Sequence, residues 1–178
     1  IEGQLVGADG RLLDNPHTPE DESSPGETFA VCDAPGEQQR PRVDFDGSAF
    51  LVVWHDTGPD DQQGIAGRFV QDDGEVLRSI LELADCRQDG CNDPAVAYGT
   101  AGNDYLVAWQ RGDDREGSVH AIRVHPSGTP VGDAVELAPG PGCRKPDVAA
   151  LSDGSFLVVF DSDPTGSNYD VWARRMLA

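Results

Sequence analysis

Acidic loops recur at one position of a repeated pattern. After Trp54 runs HDTGPDDQQG, with Asp56, Asp60 and Asp61; after Trp109 runs QRGDDREGS, with Asp113, Asp114 and Glu116; after Phe160 runs DSDPTGSNYD, with Asp161, Asp163 and Asp170. Carboxylate oxygens are the hard ligands that Ca²⁺ takes, so these nine side chains are candidate calcium ligands. None of the loops has the complete D-x-[DN]-x-[DN]-G pattern, and Asp44-Phe45-Asp46-Gly47 and Asp161-Ser162-Asp163 are only fragments of it. A pair of carboxylates can also cleave a glycosidic bond, one as acid and the other as base or nucleophile. Acidic residues are too frequent here for the sequence to single out such a pair.

Other chemistry is sparse. His17, His55, His120 and His125 form no H-E-x-x-H and no repeating ligand pattern, and they are expected as solvated side chains. No G-x-S-x-G elbow surrounds a serine, and no glycine-rich loop between strand and helix is present to cradle phosphate. Arg111-Gly112-Asp113 spells an adhesive tripeptide, but in a chain rich in Gly and Asp it reads as a hairpin turn. Tyr169 and Trp172 lie in a segment whose counterparts in the other repeats are small or polar, which makes them the candidate stacking surface for a ligand.

Composition limits the partners. A formal net charge of −19 repels phosphates, so nucleic acid and anionic membrane surfaces are excluded as partners. Lys145 is the sole lysine among 13 basic residues. No apolar run approaches membrane-spanning length. Cys32, Cys86, Cys91 and Cys143 contain no C-x-x-C pair, and in an acidic chain rich in Gly and Pro they read as disulfides of an exported protein. Two pairings suit the spacing: Cys86 with Cys91 in a small loop, leaving Cys32 and Cys143 in comparable inter-repeat positions, or Cys32 with Cys86 and Cys91 with Cys143. No secretory leader is present, so an exported chain is expected to be numbered from after processing or from within a larger precursor.

The elements that carry these residues repeat about every fifty positions. Pro41, Pro94 and Pro146 each open a short alternating segment (PRVDFDG, PAVAYGT, PDVAALSDG). Asp46-Gly47, Gly102-Asn103 and Asp153-Gly154 then supply tight turns. Apolar strands ending at Trp54, Trp109 and Phe160 follow, continuous enough in apolar character to be buried on both faces. A third strand lies in IAGRFVQDDG, HAIRVHPSG and YDVWARRM, and a fourth around SILELAD and DAVELAP. The N-terminal IEGQLVGADG and ETFAVCD match only the third and fourth strands, with residues 14–27 as a polar insertion between them. The expected organisation is therefore strands 3 and 4 within 1–37, whole units at 38–92 and 93–144, and strands 1 to 3 within 145–178. That is thirteen strands and no helix.

Four-stranded antiparallel units of this length resemble the blades of a β-propeller. The apolar strand ending in Trp after a DG turn, followed by a strand like DVWARR, is similar to repeats of secreted and cell-surface bacterial propeller proteins. The resemblance implies an all-β partial propeller of about three and a quarter blades, a β-sandwich being the alternative architecture. It also implies that the acidic loops gather on one face. Open strand edges imply completion by another copy of the chain or by a larger propeller assembly. The expected function is a non-enzymatic, secreted or surface-bound module that recognises a protein or glycan through its loop faces. The alternatives are a hydrolase or lyase with a carboxylate site on the same scaffold, and a structural segment of a large surface protein.

Overall fold

The computed structural model describes residues 1–18, 28–59, 63–77 and 79–177. Among them are thirteen strands and no α-helix. β1 (Glu2–Gly3) pairs with β2 (Phe29–Ala30). A four-stranded meander follows, made of β3 (Glu37–Phe45), β4 (Ala49–Thr57), β5 (Gln63–Gln71) and β6 (Leu81–Asp85). A second comprises β7 (Cys91–Gly99), β8 (Asp104–Arg111), β9 (Ser118–Val124) and β10 (Val135–Ala138), and a three-stranded sheet comprises β11 (Arg144–Ala150), β12 (Phe156–Ser162) and β13 (Asp170–Met176). All neighbouring strands are antiparallel. β3 packs on β7 and β7 on β11, whereas the outer strands of successive sheets make no such contact. The sheets thus radiate from their first strands like blades around an axis.

Turn chemistry closes each inner hairpin. Gly47 (φ 100°) and Gly154 (φ 86°) take the left-handed backbone that the turns require, and Asn103 (φ 51°) does so in the second blade, as Asn tolerates better than most side chains. Asp46 fixes the first turn by accepting hydrogen bonds from the N–H groups of Ser48 and Ala49, both at 2.8 Å.

The second strands of the two complete blades, β4 and β8, are buried on both faces, and their alternation sends side chains to opposite neighbours, whereas β12 buries one face and leaves Leu157 exposed on the other. Val52 and Trp54 pack back on Phe29, Val31 and Cys32, while Leu51 and Val53 pack forward on Tyr105, Val107 and Trp109. Leu106 and Ala108 then meet Phe156, Val158 and Phe160. Arginines add polar ties between sheets: Arg68 donates to the carbonyl of Val31 (2.7 Å), and Arg174, at the same register position, donates to that of Leu137. The start of the polar insertion is docked on the β5–β6 turn, where buried Asn15 donates to the carbonyl of Gly74 (3.0 Å) and His17 pairs with Asp73 (3.1 Å). His17 is exposed, as expected of a solvated side chain, and its pair with Asp73 lies at the surface; residues 19–27 of the insertion lie outside the described residues.

The cysteines correct one expectation. Cys86 and Cys91 form a disulfide, whereas Cys32 and Cys143 are unpaired and buried. Cys91 stands opposite Arg111, and in the preceding blade that register position, opposite Asp56, belongs to Gln38. Cys143, one residue before the Arg144–Asp161 pair, meets Ser162 (3.4 Å) and has no second cysteine in its connection. We predict that reducing the Cys86–Cys91 bond costs about 2 kcal/mol for so short a loop and lowers Tm by roughly 4–8 °C in a chain of this size, as calorimetry with and without reductant would show.

Candidate functional site at the axial bulges

Each inner strand breaks its ladder at one place. The register slips between Gln39 and Arg42, between Asn92 and Ala95, and between Arg144 and Asp147. The displaced residues are Arg40 (φ 55°), Asp93 (φ 47°) and Lys145 (φ 50°), each directly before a proline. They are three of the four non-glycine residues with positive φ among the described residues. A bulky side chain disfavours that region, and a following proline restricts the backbone further. Such conformations cost of the order of 1–3 kcal/mol each and cluster where a site needs a side chain aimed away from its regular direction. The sequence signal is the charged residue before each phase-setting proline, which the proline pattern alone does not single out.

The bulges bring opposite charges together. Arg40 donates to Asp93 across the first two blades at 2.6 Å. Opposite this bulge His55, paired with Gln39, is half-buried, and its Nε2 has no hydrogen-bond partner among the described residues. Burial lowers the pKa of His55 below its usual value and Arg40 lowers it further, against the opposing pull of Asp56, Asp93 and Glu37. One histidine is therefore surrounded by an arginine and carboxylates from two blades. At the equivalent position of the second blade stands Gln110, fully buried and donating to the carbonyl of Gly112 (3.1 Å) and to Asp114 (3.2 Å). In the third it is Asp161, whose carboxylate lies 3.6 Å from Arg144.

Three of the nine predicted calcium ligands, Asp113, Asp114 and Asp163, are engaged within their own loops. Asp113 accepts from the N–H groups of Glu116 and Arg115, both at 2.8 Å, which holds its carboxyl below the usual range. Glu116 enters that turn through its N–H. Asp114 receives Arg144 (3.1 Å) as well as Gln110. Asp163 accepts from the N–H groups of Ser167 (3.0 Å) and Thr165 (3.3 Å), and Asp56 accepts from Gln38 (3.3 Å). Asp170 opens β13 at the surface, and Asp60 and Asp61 lie outside the described residues. No group of three or more metal-ligating side chains occurs among the described residues.

The aromatic pair is divided. Tyr169 lies beneath the Arg144 guanidinium, 3.4 Å from ring centroid to carbon, and donates its hydroxyl to the carbonyl of Asp114 (2.9 Å), which ties two loops together. Trp172 stands opposite Phe160 on β13, at the register position of Ala66 and His120, and is 53% exposed. The Arg-Gly-Asp segment is engaged on both sides, since Arg111 pairs with Asp89 (2.9 Å) while Asp113 caps its turn. His120 is half-buried as well, stacked on Trp109 with centroids 6.0 Å apart and hydrogen-bonded to Ser118 (2.9 Å). A crevice of about 580 Å³ lies between the first two complete blades, where Trp109, His120, Arg111 and Glu136 line it.

The chain matches no protein-family model and no curated relative. Solved structures do share its fold. A thermostable family-43 glycoside hydrolase matches with a TM-score of 0.56 at 14% identity over 98% of this chain and 66% of that structure. An endo-arabinase from Bacteroides thetaiotaomicron gives 0.55 at 16% identity over 86% and 62%, and an α-L-arabinofuranosidase from Lactobacillus brevis gives 0.55 at 12% over 96% and 65%. The chain spans about two thirds or less of the length of these structures. They are β-propellers, and the four-stranded sheets described above form part of such a propeller. They also correct the expected function: the scaffold's solved counterparts are glycoside hydrolases, not non-enzymatic binding modules. No helix among the described residues is long and apolar enough to cross a membrane.

The two half-buried histidines set a pH dependence. Burial lowers both pKa values below 6.5, Arg40 adding to the effect at His55 and Arg111 at His120, with Glu136 opposing at the latter. The unfolded chain therefore binds protons first as pH falls, and stability that is complete above 6.5 is lost as the pH drops through the folded-state values. The depressed carboxylates Asp85, Asp113 and Asp153 act below their unfolded value of 3.8, outside this window. We predict that unfolding free energy, followed by urea titration, declines as the pH falls below about 6.5. His55→Gln, which installs the residue of the equivalent second-blade position, should remove roughly half of that decline.

Proposed function

We propose that the chain forms part of a glycoside-hydrolysing propeller whose reacting centre lies at the axial bulges, with Asp93 as a catalytic carboxylate. The observation that carries this reading is the strained, bulged backbone that presents Asp93 to Arg40 between two blades. The guanidinium fixes the carboxylate's orientation, and a preoriented anion is what the reaction needs to activate water or attack the anomeric carbon. Glu37 and Asp56, which share the surroundings of His55 with Asp93, are the candidates for the second carboxyl group, the one that protonates the leaving oxygen. The hydrolases that share the fold support the reading, and the arabinose-containing glycans in the names of two of them supply the first substrates to try. The Cys86–Cys91 disulfide supports an exported protein acting on extracellular glycans.

The test is release of reducing sugar from debranched arabinan and of nitrophenol from an aryl α-L-arabinofuranoside. We predict that Asp93→Asn lowers kcat/KM by roughly 10²–10⁴-fold, the range expected for loss of an acid/base group, with an unchanged circular dichroism spectrum. Full activity in Asp93→Asn would remove that residue from the mechanism, and no turnover by the wild-type chain of either substrate or of acidic plant polysaccharides offered in their place would refute the hydrolase reading.

A further inference from the structure

The axial bulges are one backbone position occupied in three ways, by Arg40, Asp93 and Lys145. The first two neutralise one another at 2.6 Å. Lys145 is exposed and, among the described residues, makes no hydrogen bond or ion pair. It is also the only lysine in the chain.

The charge of the axial wall differs from that of the molecule. On the three inner strands Arg40, Arg42, Arg144 and Lys145 balance Glu37, Asp44, Asp93 and Asp147, a net charge of zero in a chain of −19. An anion is thus repelled less by these strands than by the chain as a whole. Three of the four cations already have partners: Arg40 holds Asp93, Arg144 lies against Asp114 and Asp161, and Arg42 donates to the carbonyl of Pro41. Lys145 is left for a ligand. The hydroxyls of a neutral sugar are met by carboxylates and amides and need no ammonium. A sugar carboxylate forms a charge-assisted hydrogen bond with one.

We propose that the axial site takes a glycan bearing a carboxylate, a uronate unit, and that Lys145 is the residue that selects it. This inference rests on the glycan-hydrolase reading above. An ammonium recognises a carboxylate as a point charge, without the fixed fork of a guanidinium. Any compact cation at the position should therefore serve.

Isothermal titration of the full chain with trigalacturonate and with neutral arabinotriose tests it. Trigalacturonate is expected to bind roughly tenfold more tightly at low salt, the gain of one charge-assisted hydrogen bond. The preference should shrink as salt rises, vanish in Lys145→Met and persist in Lys145→Arg. Equal affinities, or a preference unchanged in Lys145→Met, would overturn the role of Lys145 and leave the glycan reading intact. Binding of neither sugar would overturn both.

Discussion

A β-sheet with two apolar faces cannot be stable alone, and the structure follows from that constraint. Trp54 and Val52 face one way and Leu51 and Val53 the other, so the sheet that carries them needs a neighbour on each side. The next sheet meets the same requirement, with Tyr105, Val107 and Trp109 turned back and Leu106 and Ala108 turned forward. Stacking is thereby imposed strand by strand. Burial of each large ring contributes on the order of 2–3 kcal/mol, and all of that burial lies between blades. Right-handed strand twist then fans the sheets, so that their first strands converge while their outer strands separate.

Convergence of the first strands creates the place where chemistry is possible. Three inner strands crowd around one axis, and their ladders yield at the same position in each blade. A bulge re-aims a side chain without disturbing the second strand, which keeps its core-facing residues buried. The rigidity of the inter-blade packing thus offsets the local strain of Arg40, Asp93 and Lys145, since the regular strands on either side leave those residues no alternative backbone. The same rigidity holds His55 half-buried between charges of both signs.

The fold was legible because its signals repeat. Prolines, DG turns and apolar strands recur with one phase, and thirteen strands follow from counting them. The disulfide was half legible: spacing allowed Cys86 with Cys91, but that Cys32 and Cys143 lack partners depends on which register position faces each of them, and a sequence does not display register. The candidate site was least legible. Acidic loops looked like ligands because their composition is conspicuous, yet Asp113 and Asp163 hold backbone N–H groups of their own loops and Asp114 holds Arg144. Composition cannot separate a carboxylate that caps a turn from one that awaits a ligand. The bulge residues gave the opposite error, because a charged residue before a proline is unremarkable until its backbone is known to be strained.

Repetition also explains how a nearly symmetric scaffold can carry an asymmetric site. Backbone geometry is set by glycines, prolines and apolar strands, which the blades share, so the side chains at the axial positions vary without cost to the cores. Arg40, Asp93 and Lys145 share one backbone, as do His55, Gln110 and Asp161. Their identities distribute charge around the axis: a neutralised pair between two blades, a buried amide in the second, and in the third an ammonium without a partner among the described residues. A site built in this way changes specificity by exchanging one residue in one blade. The fold constrains only where that residue is presented.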